Sequence, residues 1–205
     1  MAISSLTKLS VPLASDQSAT SEGLLMPKLQ YRFRVNFINF GVTASTTELT
    51  KQVIDAARPN LTFENMPIPV YNSTVHLAGK HTWNPITITL REDVNNSVQK
   101  LVGEQLQKQF DFINQASAAS GIDYKFQTNI EILDGGNGAA EAGVLETWEI
   151  YGCYLTEVNY NSLAYANSEP VQTSITIQYD NAVQTPNGEG VGAAVPRTIG
   201  TSTTG

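Results

Sequence analysis

The sequence predicts a mainly β protein: a two-sheet β-sandwich or barrel with one flanking α-helix and extended arms at both ends. Three observations carry this expectation. Apolar and polar residues alternate with period two over several short stretches, as in strands with one buried face. One segment, at about 95–116, has helical spacing instead. There is no internal repeat, so a single amphipathic helix rests on an otherwise antiparallel sheet system.

Residues 1–26 are rich in Ser, Thr and Ala without periodicity and read as an N-terminal arm. In "YRFRVNF", Tyr31, Phe33, Val35 and Phe37 alternate with Arg32, Arg34 and Asn36, which predicts a strand. "VIDAARPNLTFENMPIPVY" reads as two strand pieces around Arg58-Pro59, after which Pro67 and Pro69 point to a loop or an edge. The next stretch holds a Gly79-Lys80 turn signal and leads into "PITITLRE", where Ile86, Ile88 and Leu90 alternate with Thr87, Thr89 and Arg91.

In the helix, Val98, Leu101, Val102, Leu106, Phe110 and Ile113 form the apolar stripe. Asn95 or Asn96 is placed to cap it, and Lys100, Glu104 and Lys108 form an i,i+4 series. Gly103 costs about 1 kcal/mol relative to Ala, which points to close packing there. Gly121 is the expected stop. "YKFQTNIEIL" and "VLETWEIYGCYLTEVNY" are β-rich, the second long enough to expect a bulge near Gly152. "DGGNGAAEAG", 134–143, reads as the hairpin connection between them. "QTSITIQYD" closes the domain, expected to span 27–182, and 183–205 read as a C-terminal arm.

Composition excludes several function classes. At 205 residues the chain holds one core. A net charge of −7 leaves no dense positive footprint for stable nucleic-acid binding. Charged residues make up 15%, against roughly a quarter in ordinary soluble domains, and charge depletion is a mark of interfaces. No apolar run reaches the ~18–20 residues of a membrane span, so no membrane anchor is expected, and the N-terminus does not read as a secretory signal. The single cysteine, Cys153, rules out an internal disulfide.

No catalytic constellation emerges, and no enzyme activity, cofactor or metal is expected. His76 and His81 are five residues apart, which on a regular strand puts them on opposite faces, with no acidic residue or cysteine at ligand spacing. Glu92 and Asp93 sit where carboxylates complement the start of a helix. Cys153 lies inside a strand pattern with no histidine nearby, and reads as a small packed residue. The 134–143 loop lacks both the G-x-G-x-x-G spacing and the Lys-Ser/Thr of a phosphate loop.

The order of elements is more specific than any motif. "PIPVYNSTVHLAGKHTWNPITITLRED" is followed directly by the helix, then by "WEIYGCYLTEVNYNSLAY" and "ITIQYD". Over roughly 27–182 this resembles the tail tube protein of contractile-tailed bacteriophages, a family related to the tubes of type VI secretion and contractile injection systems.

The resemblance implies a small two-sheet barrel, six copies to a ring, and rings stacked into a homo-hexameric tube inside a contractile sheath. Tail sheath, baseplate and tail terminator proteins are the implied partners. The implied location is the virion, after assembly in the host cytoplasm, with DNA passing through the lumen without specific binding. Within that frame Gln172, Ser174, Thr176 and Gln178 are the expected polar, lumen-facing row, an intersubunit contact being the competing assignment. Pro67, Tyr71, His76, Lys80, His81 and Trp83 mark the expected ring-stacking loop. An injection-system tube subunit is the alternative function, and a carbohydrate-binding sandwich a more distant one.

Overall fold

The computed structural model describes residues 27–42, 46–135 and 142–185. Residues 27–32 belong to a unit separate from the rest and hold a turn in which the Arg32 N–H donates to Leu29 O at 3.2 Å. Most of both expected arms lies outside the described residues.

The body is mainly β, as expected. Strands β1 (Phe33–Ile38), β8 (Phe126–Leu133), β9 (Val144–Asn159), β10 (Gln172–Gln178), β5 (Ile86–Arg91) and β2 (Val53–Ala56) pair antiparallel in that order, and β11 (Asn181–Thr185) adds to β9. The long strand β9 makes this two sheets. Its first part pairs β8 and β11, and its last part, Tyr154–Asn159, pairs β10. The corner falls where Phe126 pairs Cys153 but Thr128 pairs Ile150, so β9 carries an extra residue beside Gly152. Gly152 has φ +68°, a left-handed conformation that costs other L-residues about 1–2 kcal/mol. The expected bulge is there, and it turns one strand from sheet to sheet.

Alternation fills the space between the sheets. Val35 and Phe37 from β1, Ile86, Ile88 and Leu90 from β5, Ile150 from β9, and Ile175 and Ile177 from β10 are all buried. Each such aliphatic side chain contributes about 1.5–3 kcal/mol by leaving water. Phe40 joins them, its ring edge-on to Phe126 at 4.8 Å.

Helix α2 spans Ser97–Gln109 and buries Val98, Leu101, Val102 and Gln105. It is shorter than the expected 95–116. Phe110 is already extended (φ −153°), in the small pair β6 (Phe110–Asp111) and β7 (Ala116–Ser117). Side chains stop it: the Gln109 amide donates to Leu155 O and accepts from Leu155 N–H, both at 2.9 Å. Asp111 then captures the N–H groups of Ile113 and Asn114. Ile113, expected in the apolar stripe, is 88% exposed.

At the other end Asn96 is in the left-handed region (φ 56°) and makes no side-chain cap. The Asp93 carboxylate caps instead, accepting from Ser97 N–H at 2.8 Å. Desolvation raises the Asp93 pKa, but the Ser97 and neighbouring hydrogen bonds outweigh it and leave the group below the usual carboxylate range. A Cβ on Gly103 would meet nothing within 4 Å, so the close packing expected there is absent.

Two short helices were not expected: α1 (Thr47–Gln52), which buries Leu49, and α3 (Gly121–Tyr124). Gly121 therefore starts a helix instead of ending one. Strand β11 continues to Thr185. The 134–143 segment does connect the β8–β9 hairpin, closed by Asp134 N–H to Gly143 O at 2.9 Å.

The largest departure is at 60–84. Despite Pro67 and Pro69, residues Asn60–Val70 form β3, which pairs along its length with β4 (Ser73–Asn84). Of the two expected alternatives the edge holds and the loop does not: the segment is a long two-stranded hairpin. Both of its strands are edges, so the prolines fit wherever the missing N–H would point away from the partner. The turn is at Tyr71-Asn72, not at Gly79-Lys80. Gly79 and Lys80 instead stand opposite Glu64 as a bulge, since Phe63 pairs His81 while Asn65 pairs Ala78. A Cβ on Gly79 would lie 3.0 Å from the Glu64 carbonyl oxygen, and that close approach favours glycine.

Candidate interaction surfaces

Three surfaces stand out, and each is dictated by strand parity. On β10, Thr173, Ile175 and Ile177 point inward, so Gln172, Ser174, Thr176 and Gln178 share the outer face and are half-buried among neighbours. Register sets Arg91, Thr89 and Thr87 of β5 beside Gln172, Ser174 and Thr176. On the other side Asn159, Glu157 and Tyr154 of β9 lie beside Ser174, Thr176 and Gln178. The centre of this face is thus Thr, Ser, Gln and Asn, with charge at its margins: Asp55 on β2, Arg91 at the end of β5, Glu157 on β9. Gln178 also donates to Trp83 O at 3.3 Å, tying the row to the root of the hairpin.

The outer face of the other sheet is more charged. Arg34 pairs with Glu131 at 2.6 Å, and Asn129 lies between Asn36 and Glu149. The Tyr151 hydroxyl donates to Glu149.

The hairpin is the second surface. Of the six residues expected at a stacking loop, the bulge brings Pro67, His76, His81 and Trp83 to one face; by simple alternation the histidines would oppose each other. His76 Nδ1 lies 3.1 Å from the Asn65 amide, and His81 sits between Phe63 and Trp83 with ring centroids at 6.3 and 6.4 Å. Trp83 is not a surface residue: it is buried against Tyr179, centroids 5.7 Å apart. Tyr71 is wholly exposed in the turn, and Lys80 lies in the bulge. The opposite face carries what the sequence reading missed: Met66, Ile68, Val70, Val75 and Leu77, all exposed. Register pairs Met66 with Leu77 and Ile68 with Val75, giving a continuous apolar ribbon. The signal was present as Met66-Pro-Ile68-Pro-Val70, an alternation within the second of the two expected strand pieces.

The third surface lies at the ends of α2. At its C-terminal end, Phe112 and Ile113 project from the β6–β7 turn. At its start, Glu92, Gln99, Tyr160, Asn161, Leu163 and Val171 line a groove.

Among the described residues no group of three or more His, Cys, Asp and Glu could hold a metal ion. Burial pushes the Cys153 thiol up to about 11, which suppresses the thiolate a nucleophile needs. Among the described residues no helix is long and apolar enough to cross a membrane.

No protein-family model matches the sequence, and no curated protein matches it. Solved structures do match the fold. A chain in the cryo-EM structure of the anti-feeding prophage cap, the tube terminating cap, superposes with a TM-score of 0.60 at 15% identity, covering 83% of this chain and 99% of that one. A chain of the sheath-tube complex of the PVC extracellular contractile injection system, extended state, gives 0.56 at 15%, covering 80% and 94%. One from the sheath/tube terminator of that system gives 0.55 at 15%, covering 78% and 97%. The chain has a tail-tube-like fold.

Proposed function

We propose that this chain is a structural tube subunit of a contractile tail or injection machine, assembling as rings that stack around a lumen and performing no catalysis. The observation that carries the reading is the fold match at a TM-score of 0.60 over nearly the whole length of a tube-cap component. The surfaces support it. A hydrogen-bonding sheet face with an uncharged centre suits the wall of a conduit, because Arg91 at its margin is the one cation it offers a passing phosphate among the residues named on it. The apolar hairpin ribbon is larger than the scattered exposure of a monomer and suits a contact between rings. Gln172, Ser174, Thr176 and Gln178 then line the lumen, while Tyr71, His76, Lys80 and His81 accompany the stacking hairpin. Six copies to a ring, and sheath, baseplate and terminator partners, complete the assembly.

In the phage reading the tube belongs to a virion and conducts the genome after sheath contraction. The injection-system reading is favoured by one observation: two of the three matched structures described above come from an extracellular contractile injection system. Electron microscopy of the concentrated protein tests what both share, with six-fold rings or hollow tubes expected. A species that stays monomeric at all salt and protein concentrations overturns the proposal. Recovery of the chain from purified DNA-containing particles then separates the phage from the injection system.

A further inference from the structure

The two ends of α2 carry complementary apolar features that the monomer leaves unused. At the C-terminal end, Phe112 is 61% and Ile113 88% exposed, next to each other on one turn. A pair of exposed apolar residues on a mobile loop would mean little, but this turn is tightly held. Asp111 Oδ1 accepts from Ile113 N–H (3.0 Å), Asn114 N–H (3.2 Å) and Gln107 Nε2 (2.9 Å), and Oδ2 accepts from Asn114 Nδ2 at 2.7 Å. The Phe110 ring braces Phe112 edge-on at 5.3 Å. The knob is therefore pre-organised, so little ordering entropy is lost when it docks.

At the N-terminal end, the groove holds about 530 Å³ and its apolar surface is Tyr160, Leu163 and Val171. That volume is within the roughly 300–1,000 Å³ of ligand pockets, room for a two-residue plug. Its walls are also fixed: Glu92 N–H donates to Val171 O at 2.9 Å, and Gln99 Nε2 to Glu92 Oε2 at 2.7 Å. Docking buries no naked charge, because Asp111 is satisfied by the turn and Glu92 by Gln99 and Thr173. With thirteen helical residues between them at about 1.5 Å each, knob and groove are about 20 Å apart and cannot meet within one molecule.

We infer that a second copy of this chain seats its Phe112-Ile113 knob in the Tyr160-Leu163-Val171 groove, a head-to-tail contact running along α2. A contact between two different patches of identical subunits closes into rings or propagates as a stack. The inference therefore rests on the self-assembly proposed above, and it assigns one of its interfaces.

Cysteine trapping tests it, with the native Cys153 thiol buried and silent. Ile113→Cys and Leu163→Cys proteins are made separately, assembled as a mixture, and oxidised mildly. Covalent dimers and nothing larger are expected from the mixture, none from either variant alone, and a ladder from the double variant. Ile113→Asp is expected to raise the protein concentration needed for assembly at least about tenfold. Assembly seen by electron microscopy but without mixed cross-links, or self-cross-linking of Ile113→Cys alone, overturns the inference while leaving the tube reading intact. If the unmodified protein does not assemble at all, both fall.

Discussion

Gly152 shows how much one residue decides. A Cβ there would collide with the Asp180 carboxylate, which holds Lys125 Nζ at 2.6 Å, and φ +68° disfavours any other L-residue. Gly152→Ala is expected to cost about 2 kcal/mol or more in urea unfolding, from left-handed strain plus displacement of the ion pair. An unchanged midpoint would mean that the corner of β9 does not need glycine. Its neighbour Cys153 sets a pH limit. Burial raises its pKa from the ordinary 9.0 to about 11, and burial likewise lifts Tyr179 from 10.0 to about 12. The folded state holds these protons more tightly than the unfolded one. Their contribution is thus complete below pH 9 and is lost as pH rises above it, at about 1.4 kcal/mol per pH unit from Cys153 alone between 9 and 11. Denaturation midpoints that do not move from pH 8 to 10.5 would contradict this. The burial of Cys153 was readable from its place in a strand pattern. The packing partner of Trp83 was not, since Tyr179 lies 96 positions away in the chain.

At the scale of elements, alternation was the dependable signal and termination the undependable one. Strands β1, β5 and β10 lie where period-two patterns put them, because one face of each packs on a core, and β8 and β9 lie in the stretches read as β-rich. Helix α2 starts about where expected, but its end was hidden. Phe110 and Ile113 keep helical spacing, yet Gln109 and Asp111 offer the backbone better hydrogen bonds outside the helix. Helix α1 is too short for any periodicity to show. The proline-bearing strand was legible as an edge piece, but its partner β4 was hidden by the Gly79-Lys80 turn signal, and the hairpin carries the clearest prediction at this scale. Ile68→Lys with Val75→Lys alters two exposed side chains, so thermal unfolding of the monomer should change by no more than about 0.5 kcal/mol per site. Stacking should fail while single rings persist, as sedimentation and electron microscopy can show. Tubes of normal length would remove the ribbon from the interface.

For the whole molecule, function depends on which faces look where in an assembly. If the β10 row lines a lumen that conducts DNA, Ser174→Arg should leave tubes intact but slow DNA passage. The slowing should shrink at high salt, because an exposed charge is screened within about 8 Å at physiological ionic strength and about 3 Å at 1 M. Passage unchanged at low salt would argue against a wall kept free of phosphate contacts. The sequence by itself determined the mainly β class, the core faces of the strands, the helix and the bulge at Gly152, because period, composition and glycine placement are local properties. Only the tertiary structure decided that β9 belongs to two sheets, that a proline-bearing segment forms a free hairpin with an apolar face, and that the histidines share the other. Those follow from register and from side-chain hydrogen bonds between residues far apart in the chain, which no local pattern encodes.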